Sequence, residues 1–541
     1  GAFGASINVL TDAVSNEAKG EISNSIGSFN SRKHTVKYST GLLNDHFEIA
    51  GRLSNIVSDG YIRRATSDLK SYFLQGSYID DNTLIKAVVF GGQEVTYQAY
   101  NGVTLQQIQA DRRFNPSGQY TNDAGDTVFY DNEIDNYNQD HYQLHFSHGF
   151  NSQLKLNVKG HYTRGKGYYE QFKTEEDFST YGFAPVINGT DTISTTNLIR
   201  RRWLDNHFYG GIFSLNYKKN GLDVTFGGGA NEYIGDHFGE VIWAEYASDS
   251  KIRDRYYDNQ GSKFEVQSYL KGTYKYNKLV VYADLQVRHI NYEFLGIDDV
   301  SGALENVSQS VPYTFLNPKL GFMVDINHRN NAYMSIAVAN REPVRADFRE
   351  NTPENRPDHE ELINLESGYR YKGRKLIANA NLYLMGYKNQ LVLTGAIDDV
   401  GAPIRGTSGD SYRMGLEVEA LWQIDHRWSW QVSLALSENK NRDYVTEFDG
   451  VLQNLGQTDI SFAPGVIGSS VWSYQTESGW RLAWFAKHVG AQYMGNTERD
   501  ASRLAAYMVN DLQVSYDWQK PWLGKTMSLK LLLNNILSAD Y

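Results

Sequence analysis

The sequence predicts an all-β fold: a transmembrane antiparallel β-barrel of 22 strands, about 21 of them represented. Three observations carry that prediction. The first is strict alternation of apolar and polar residues, in arms longer than globular strands usually are. The second is a regular succession of tight turns and long connections. The third is composition: 541 residues hold 48 Gly, 38 Tyr, 24 Phe and 10 Trp but only 10 Pro, which suits many strands, tight turns and interfacial aromatic girdles. Mean hydropathy is −0.52, and no run of about 18 apolar residues occurs, so a helical membrane protein is excluded. Cysteine is absent, which removes disulfides, thiolate metal sites and cysteine nucleophiles. A formal charge of −11 disfavours nucleic acid as a partner, because phosphates call for a basic face.

The clearest hairpin runs from Tyr137 to Gly167. Tyr142, Leu144 and Phe146 alternate with His141, Gln143 and His145. After a turn at Gly149 to Ser152, Leu154, Leu156, Val158 and Tyr162 alternate with Lys155, Asn157, Lys159 and His161. A strand sends the two sets to opposite faces. Leu144, Phe146, Leu154 and Leu156 are therefore expected to meet lipid, with Leu156 a candidate midplane position. His141, His145, His161, Lys155 and Lys159 are expected to face the lumen. The histidines lie on different arms in polar company, so no metal site is assigned to them.

Along the chain, tight turns are expected near 44–45, 80–82, 149–152, 218–221, 276–278, 327–331, 372–375, 425–427, 476–479 and 517–525. There Asn, Asp and Gly supply local hydrogen bonds or positive φ. Between them lie longer connections: 93–136, 168–197, 236–257, 294–310, 342–359, 388–410 and 438–458. A soluble sandwich has no reason to keep its long loops at one end, whereas outer-membrane barrels have short periplasmic turns and long external loops. Trp422, Trp428, Trp430, Trp472, Trp480, Trp518 and Trp522 all sit near short turns, where one aromatic girdle belongs. The last arm, Thr526 to Leu537, has no closing partner, and an unpaired edge cannot sit in hydrocarbon, so a final strand is expected beyond the chain. The count of 21 arms lies close to the 22 of plugged outer-membrane transporters.

Longer blocks sharpen the reading. The opening GAFGASINVLT, the closing NNILSADY and the internal stretches DNYNQDHYQLHF, RRRWLDNHFYGG, GDHFGEVIWAEY and ANREPVRADF resemble the TonB-dependent outer-membrane transporters, in particular a group typical of Bacteroidetes. The resemblance implies that residues 1–12 end an N-terminal plug domain and that residues 13–541 are the barrel, its final strand missing. It implies active import of a scarce nutrient chelate, with a ferric siderophore or other iron complex favoured for a barrel of this length, and haem or cobalamin as alternatives. It further implies the TonB-ExbB-ExbD complex as energising partner, acting through the missing plug segment. Outer-membrane lipid and lipopolysaccharide surround such a barrel, and some relatives carry a surface lipoprotein. No covalent chemistry and no covalently bound cofactor follow. A passive channel or structural barrel subunit is the alternative class.

For substrate capture, the segment Arg341 to Glu361 comes first. Arg341, Arg345, Arg349 and Arg356 could present guanidinium forks to a carboxylate-rich or catecholate chelate, or pair with neighbouring acids to fix the loop. Tyr233, His237, Trp243 and Tyr246 could stack on a flat ligand or on one another. Tyr168 and Tyr169 stand where a long strand leaves the membrane. Enzyme motifs fail: Asp358-His359-Glu360-Glu361 begins like a zinc-protease helix, yet position 363 is Ile where the second histidine is needed.

Overall fold

Alternating arms such as Tyr142–Leu144–Phe146 can bury one face only against something apolar on the outside, and in the computed structural model they do so as staves of one sheet. The structure describes residues 11, 13–300, 303–349, 356–397, 403–448, 451–518 and 522–541. The first staves are β1 (Lys19–Ile26), β2 (Arg32–Ser39), β3 (Phe47–Ser58), β4 (Ser67–Ile79), β5 (Thr83–Tyr97), β6 (Ile134–Gly149) and β7 (Leu154–Asp177). Next come β8 (Thr195–Lys219), β9 (Leu222–Ala244), β10 (Arg255–Tyr276), β11 (Leu279–Val300), β12 (Gln309–Asn327), β13 (Asn330–Arg341) and β14 (Glu360–Lys372). The last are β15 (Leu376–Lys388), β16 (Ser411–Gln423), β17 (Trp428–Asn441), β18 (Val466–Gln475), β19 (Trp480–Val489), β20 (Tyr507–Asp517) and β21 (Ser528–Leu533). Among the described residues the main sheet has 23 segments, of which Ala303–Asn306 and Thr458–Asp459 are short pieces in external connections, leaving 21 staves.

Every stave pairs antiparallel with its neighbours in sequence, from β1–β2 to β20–β21. Among the described residues β1 and β21 are not hydrogen-bonded to each other. The sheet nevertheless curls far enough that segments flanking β1 and β21 meet at one rim, and that the β5–β6 connection reaches the segment after β21 at the other. Lys525 Nζ lies 3.3 Å from Glu17 Oε2 at one rim, and Arg112 Nη1 lies 3.2 Å from Asp540 Oδ1 at the other.

The short turns fall where the sequence places them. The β8–β9 turn needs two left-handed residues, and Asn220 (φ 47°) and Gly221 (φ 81°) provide them, the pairing that suits a two-residue hairpin. Register confirms the faces, because residues directly opposite in an antiparallel pair share a side. Leu144 pairs with Gly160, Phe146 with Val158, and Leu156 with Leu215. Leu144 is 57 % exposed, as expected of a side chain whose solvent is lipid. Near the short turns a tryptophan ladder crosses four strands on this outer face: Trp422 opposite Trp430, Trp430 opposite Trp472, and Trp472 opposite Trp484.

Several expectations change. Leu156 is the third residue of β7, so it lies near the inner interface, and Leu144 or Val158 is closer to mid-membrane. The 168–197, 236–257 and 294–310 connections are mostly strand: β7, β8, β9, β10 and β11 run 24, 25, 23, 22 and 22 residues, about twice what a bilayer needs. Above the lipid their outward face meets water, so the apolar alternation that marks a strand is lost while the backbone ladder continues. External connections at 27–31, 59–66 and 490–506 also exist where none was expected. The 93–136 connection holds a helix, α1 (Leu105–Ala110), capped by Thr104 and Gln107. The Asp358–Glu361 motif stands at the start of strand β14 rather than on a helix. The expected plug strand falls almost entirely outside the described residues.

Candidate external binding pocket

Where β6–β11 rise above the lipid, their inward face carries buried charges that meet across strands. β8 carries Arg200 and Arg202 on this face, both buried. Arg200 donates to Gln171 Oε1 from Nη2 (2.9 Å) and Nε (3.1 Å), and its Nη1 lies 3.4 Å from Asp299 Oδ2. Arg202 donates through Nε to Tyr257 Oη at 3.1 Å and stands 3.7 Å from the same Asp299 carboxylate. The two buried guanidinium groups thus share one carboxylate within the wall, with further donors meeting neutral oxygens.

A second helix, α2 (Arg345–Arg349), folds in from the β13–β14 connection. Two anchors hold it. Phe348 is buried against the rings of Tyr292 and Phe294, at 5.9 and 5.4 Å between centroids. Asp347 accepts from the Val344 backbone N–H at 2.7 Å and from Arg405 Nε at 3.0 Å. With α2 fixed, Arg345 reaches the wall: its Nη2 donates to Asn259 Oδ1 and to Asp298 Oδ2, both at 2.7 Å.

Between wall and helix lies a cavity of about 480 Å³. Its basic side is Arg202, Arg345, Arg349 and His237; its acidic side is Glu94 and Asp135. Rings of Tyr137, Tyr169 and Tyr257 line the space between. Burial, reinforced by Arg345, Arg349 and Arg202, pushes the His237 imidazole down to about 3, so it stays neutral at ordinary pH. Its Nε2 is buried with no hydrogen-bond partner among the described residues. On the far side, burial and the neighbouring Glu94 raise the Asp135 carboxyl to about 6.

Of the residues expected to bind substrate, Arg345, Arg349, His237, Tyr168 and Tyr169 line this cavity. The others do not. Arg341 ends β13 and pairs with Glu360. Arg356 has a buried Nε without a partner among the described residues but lies apart from the cavity. Trp243 stacks on Phe172 at 6.3 Å between centroids, and the Tyr246 backbone N–H donates to Thr196 Oγ1. Neither lines the cavity. Arg345 and Arg341 do pair with acids to fix the loop, so that reading also holds. Tyr233, His237 and Trp243 are strand residues rather than loop residues.

Tyr233 lines a second cavity, of about 420 Å³, lower on the wall, together with His141 and His161. Here the lining is neutral. His141 stacks on Phe90 at 4.4 Å and shares a 2.9 Å hydrogen bond with Thr163; His161 bonds Asn231 Oδ1 at 2.8 Å. His145, Lys155 and Lys159 occupy the same strand face, opposite the apolar residues. Sequence reasoning missed Arg202, Asp298, Glu94 and Asp135. Arg202 stands in the RRRW block, where three successive arginines hide the alternation that puts the second outward and the others inward.

The comparisons agree with this architecture. A family model described as "TonB dependent receptor-like, beta-barrel" matches residues 72–536. Among solved structures, the closed form of the ferric-catecholate import receptor Fiu from E. coli K12 is 13 % identical, with a TM-score of 0.70 and 97 % of this chain and 78 % of that chain covered. The siderophore receptor PiuA from Acinetobacter baumannii is 12 % identical, with a TM-score of 0.72 and coverage of 97 % and 78 %. The copper transporter OprC is 14 % identical, with a TM-score of 0.71 and coverage of 97 % and 75 %. No curated protein matches the sequence.

Proposed function

Because the chain belongs to the TonB-dependent receptor β-barrel family, a family of the Gram-negative outer membrane, we propose that it captures an anionic metal chelate in the cavity beneath α2 for energised import. A ferric siderophore or other iron complex is the favoured cargo. One observation carries the reading: a half-buried, neutral His237, whose buried Nε2 is unsatisfied among the described residues, stands among three arginines that share one cavity. Buried polar atoms are normally satisfied. An anion placed there would accept from the Arg345 fork and from an Nε2–H of His237 together. The iron- and siderophore-receptor neighbours support the cargo class, and the second cavity offers a neutral, hydrogen-bonding shelf below the first. Movement past it would be driven through TonB-ExbB-ExbD acting on a plug, with His141, His145, His161, Lys155 and Lys159 facing that plug or the path beside it.

Radioiron uptake tests the proposal. Iron-starved cells producing the full-length protein should accumulate iron from a ferric siderophore, and loss of TonB or collapse of the proton gradient should abolish it. Uptake that persists without TonB, together with steady ion conductance of the purified protein, would instead identify a passive channel.

A further inference from the structure

The cavity under α2 is charged at both ends, and the two ends have opposite sign. Its acidic end lies on β5 and β6, where Glu94 stands opposite Tyr137 and Asp135 opposite Tyr169. Its basic end lies on β8 and β9 and on α2. The two ends are linked by a row of cross-strand neighbours: Asp135 beside Tyr169, Tyr169 beside Arg202, and Leu204 beside His237. From β6 to β9 is three strand spacings, or roughly 14 Å between backbones, and long side chains reach inward from the basic side.

The acids differ from every other acid discussed above. Asp298, Asp299, Asp347 and Glu360 each hold an arginine. Neither Glu94 nor Asp135 forms a hydrogen bond or an ion pair with another described residue, although they are close enough for Glu94 to raise the Asp135 carboxyl. Two like charges kept together against aromatic walls call for a cation. At the other end Arg345 spends only Nη2 on Asn259 and Asp298, and His237 Nε2 is unsatisfied. Those donors call for an anion. A wholly anionic catecholate or polycarboxylate would satisfy one end and be repelled by the other.

We propose that the pocket recognises a zwitterionic end group of the chelate, its carboxylate held by Arg345, Arg349 and His237 and its ammonium by Glu94 and Asp135. The inference rests on the import reading above and narrows its substrate class to chelates bearing a free amine and a carboxylate a few methylenes apart. The Tyr137, Tyr169 and Tyr257 rings then cover the methylenes, and the ammonium sits where cation–π attraction adds to charge pairing.

The test uses three ferric chelates with the same iron centre: the ferric complexes of Nα-(2,3-dihydroxybenzoyl)-lysine, of its Nε-acetyl derivative and of its carboxamide. Binding to the purified full-length receptor is read from quenching of tryptophan fluorescence, since Trp203 borders the cavity. The parent should bind at least about tenfold more tightly than either derivative. In Glu94→Gln/Asp135→Asn the parent and its Nε-acetyl derivative should become equal, while the carboxamide stays weaker. In Arg345→Gln/Arg349→Gln the parent and the carboxamide should become equal instead. The ligand series on the unmutated receptor stands even where a variant folds poorly. An Nε-acetyl derivative that binds as tightly as the parent, or no binding by any of the three at about 1 mM, overturns the inference. Neither result touches the import reading, which fails only when uptake proves independent of TonB.

Discussion

Replacing Leu285 with arginine probes the lipid-facing assignment at its most demanding depth. Leu285 stands in β11 opposite Leu270 on one side and Pro318 on the other, and it is 47 % exposed. The short turn at Asn277–Lys278 lies just below Leu279, the first residue of the strand. A strand tilted by about 45° climbs roughly 2.3 Å per residue, so Leu285 lies roughly 15 Å above the inner interface, half of a hydrocarbon core about 30 Å thick. Arginine there should cost about 2–4 kcal/mol, and the same change at Leu279 about 0–1 kcal/mol. Gln286 points the other way and donates to Gln267 Oε1 at 2.6 Å; Gln286→Arg should cost less than about 1 kcal/mol. The assay is reversible denaturant unfolding from lipid vesicles, with slopes compared to confirm that the same surface is exposed. Equal costs at Leu279 and Leu285, or a larger cost at Gln286 than at Leu285, would refute the assignment of faces and depth.

Three further outcomes follow from the pocket. Arg345→Lys keeps a charge but loses the donors that remain once Nη2 has served Asn259 and Asp298, so chelate affinity should fall about tenfold or more, while Arg345→Ala should also lower unfolding stability by about 1–3 kcal/mol through the stranded Asp298. His237 is held neutral with a pKa of about 3, below its unfolded value of about 6.5. The unfolded chain therefore binds this proton first as pH falls, and the stability that His237 contributes should decline from about pH 6.5 downward until the folded group titrates near 3; Asp135, raised to about 6, gains stability over the same window, so the His237 loss, about 1–2 kcal/mol between pH 6.5 and 5, is read as the difference between the unmutated protein and His237→Gln. Gly239 lies opposite Arg202, and a Cβ on it would overlap the Tyr256 and Tyr257 rings. Gly239→Ala should displace Tyr257 and with it Arg202, weakening chelate binding measurably at a stability cost of about 1–3 kcal/mol.

The part of the fold written in the sequence is the part that lipid reads. From Leu144 to Val158, or from Leu270 to Val287, the outer solvent is apolar and the inner is not, so every second residue is constrained and the strand shows itself. Turns such as Asn220–Gly221 are legible for a different reason, since only a few residue types accept positive φ. Above the membrane both constraints lapse. The upper half of β8, TTNLIRRRWL, looks like a loop because its partners are ions rather than lipid. Its charges find Asp299 and Gln171 from 97 to 99 and 29 residues away, distances that no local pattern encodes. The same holds for the pocket. Arg345 and Arg349 were legible as cations on an external segment, and His237 as an aromatic on another, but their meeting depends on Phe348 seating α2 among Tyr292 and Phe294. Glu94 and Asp135 gave no local signal, because an acid without a partner looks in sequence like any solvated acid. One clue went unused: Thr104-x-x-Gln107 is a capping box and marks the start of α1 within the first long connection.

The measurement that bears most directly on the central claim is the structure of the full-length receptor with a bound ferric chelate, located by the anomalous scattering of its iron. The account predicts iron at the mouth of the cavity beneath α2, with an anionic ligand group within hydrogen-bond reach of His237 Nε2 and the Arg345 guanidinium. Iron held elsewhere, with His237 Nε2 still unsatisfied and the cavity filled only by water, would contradict it.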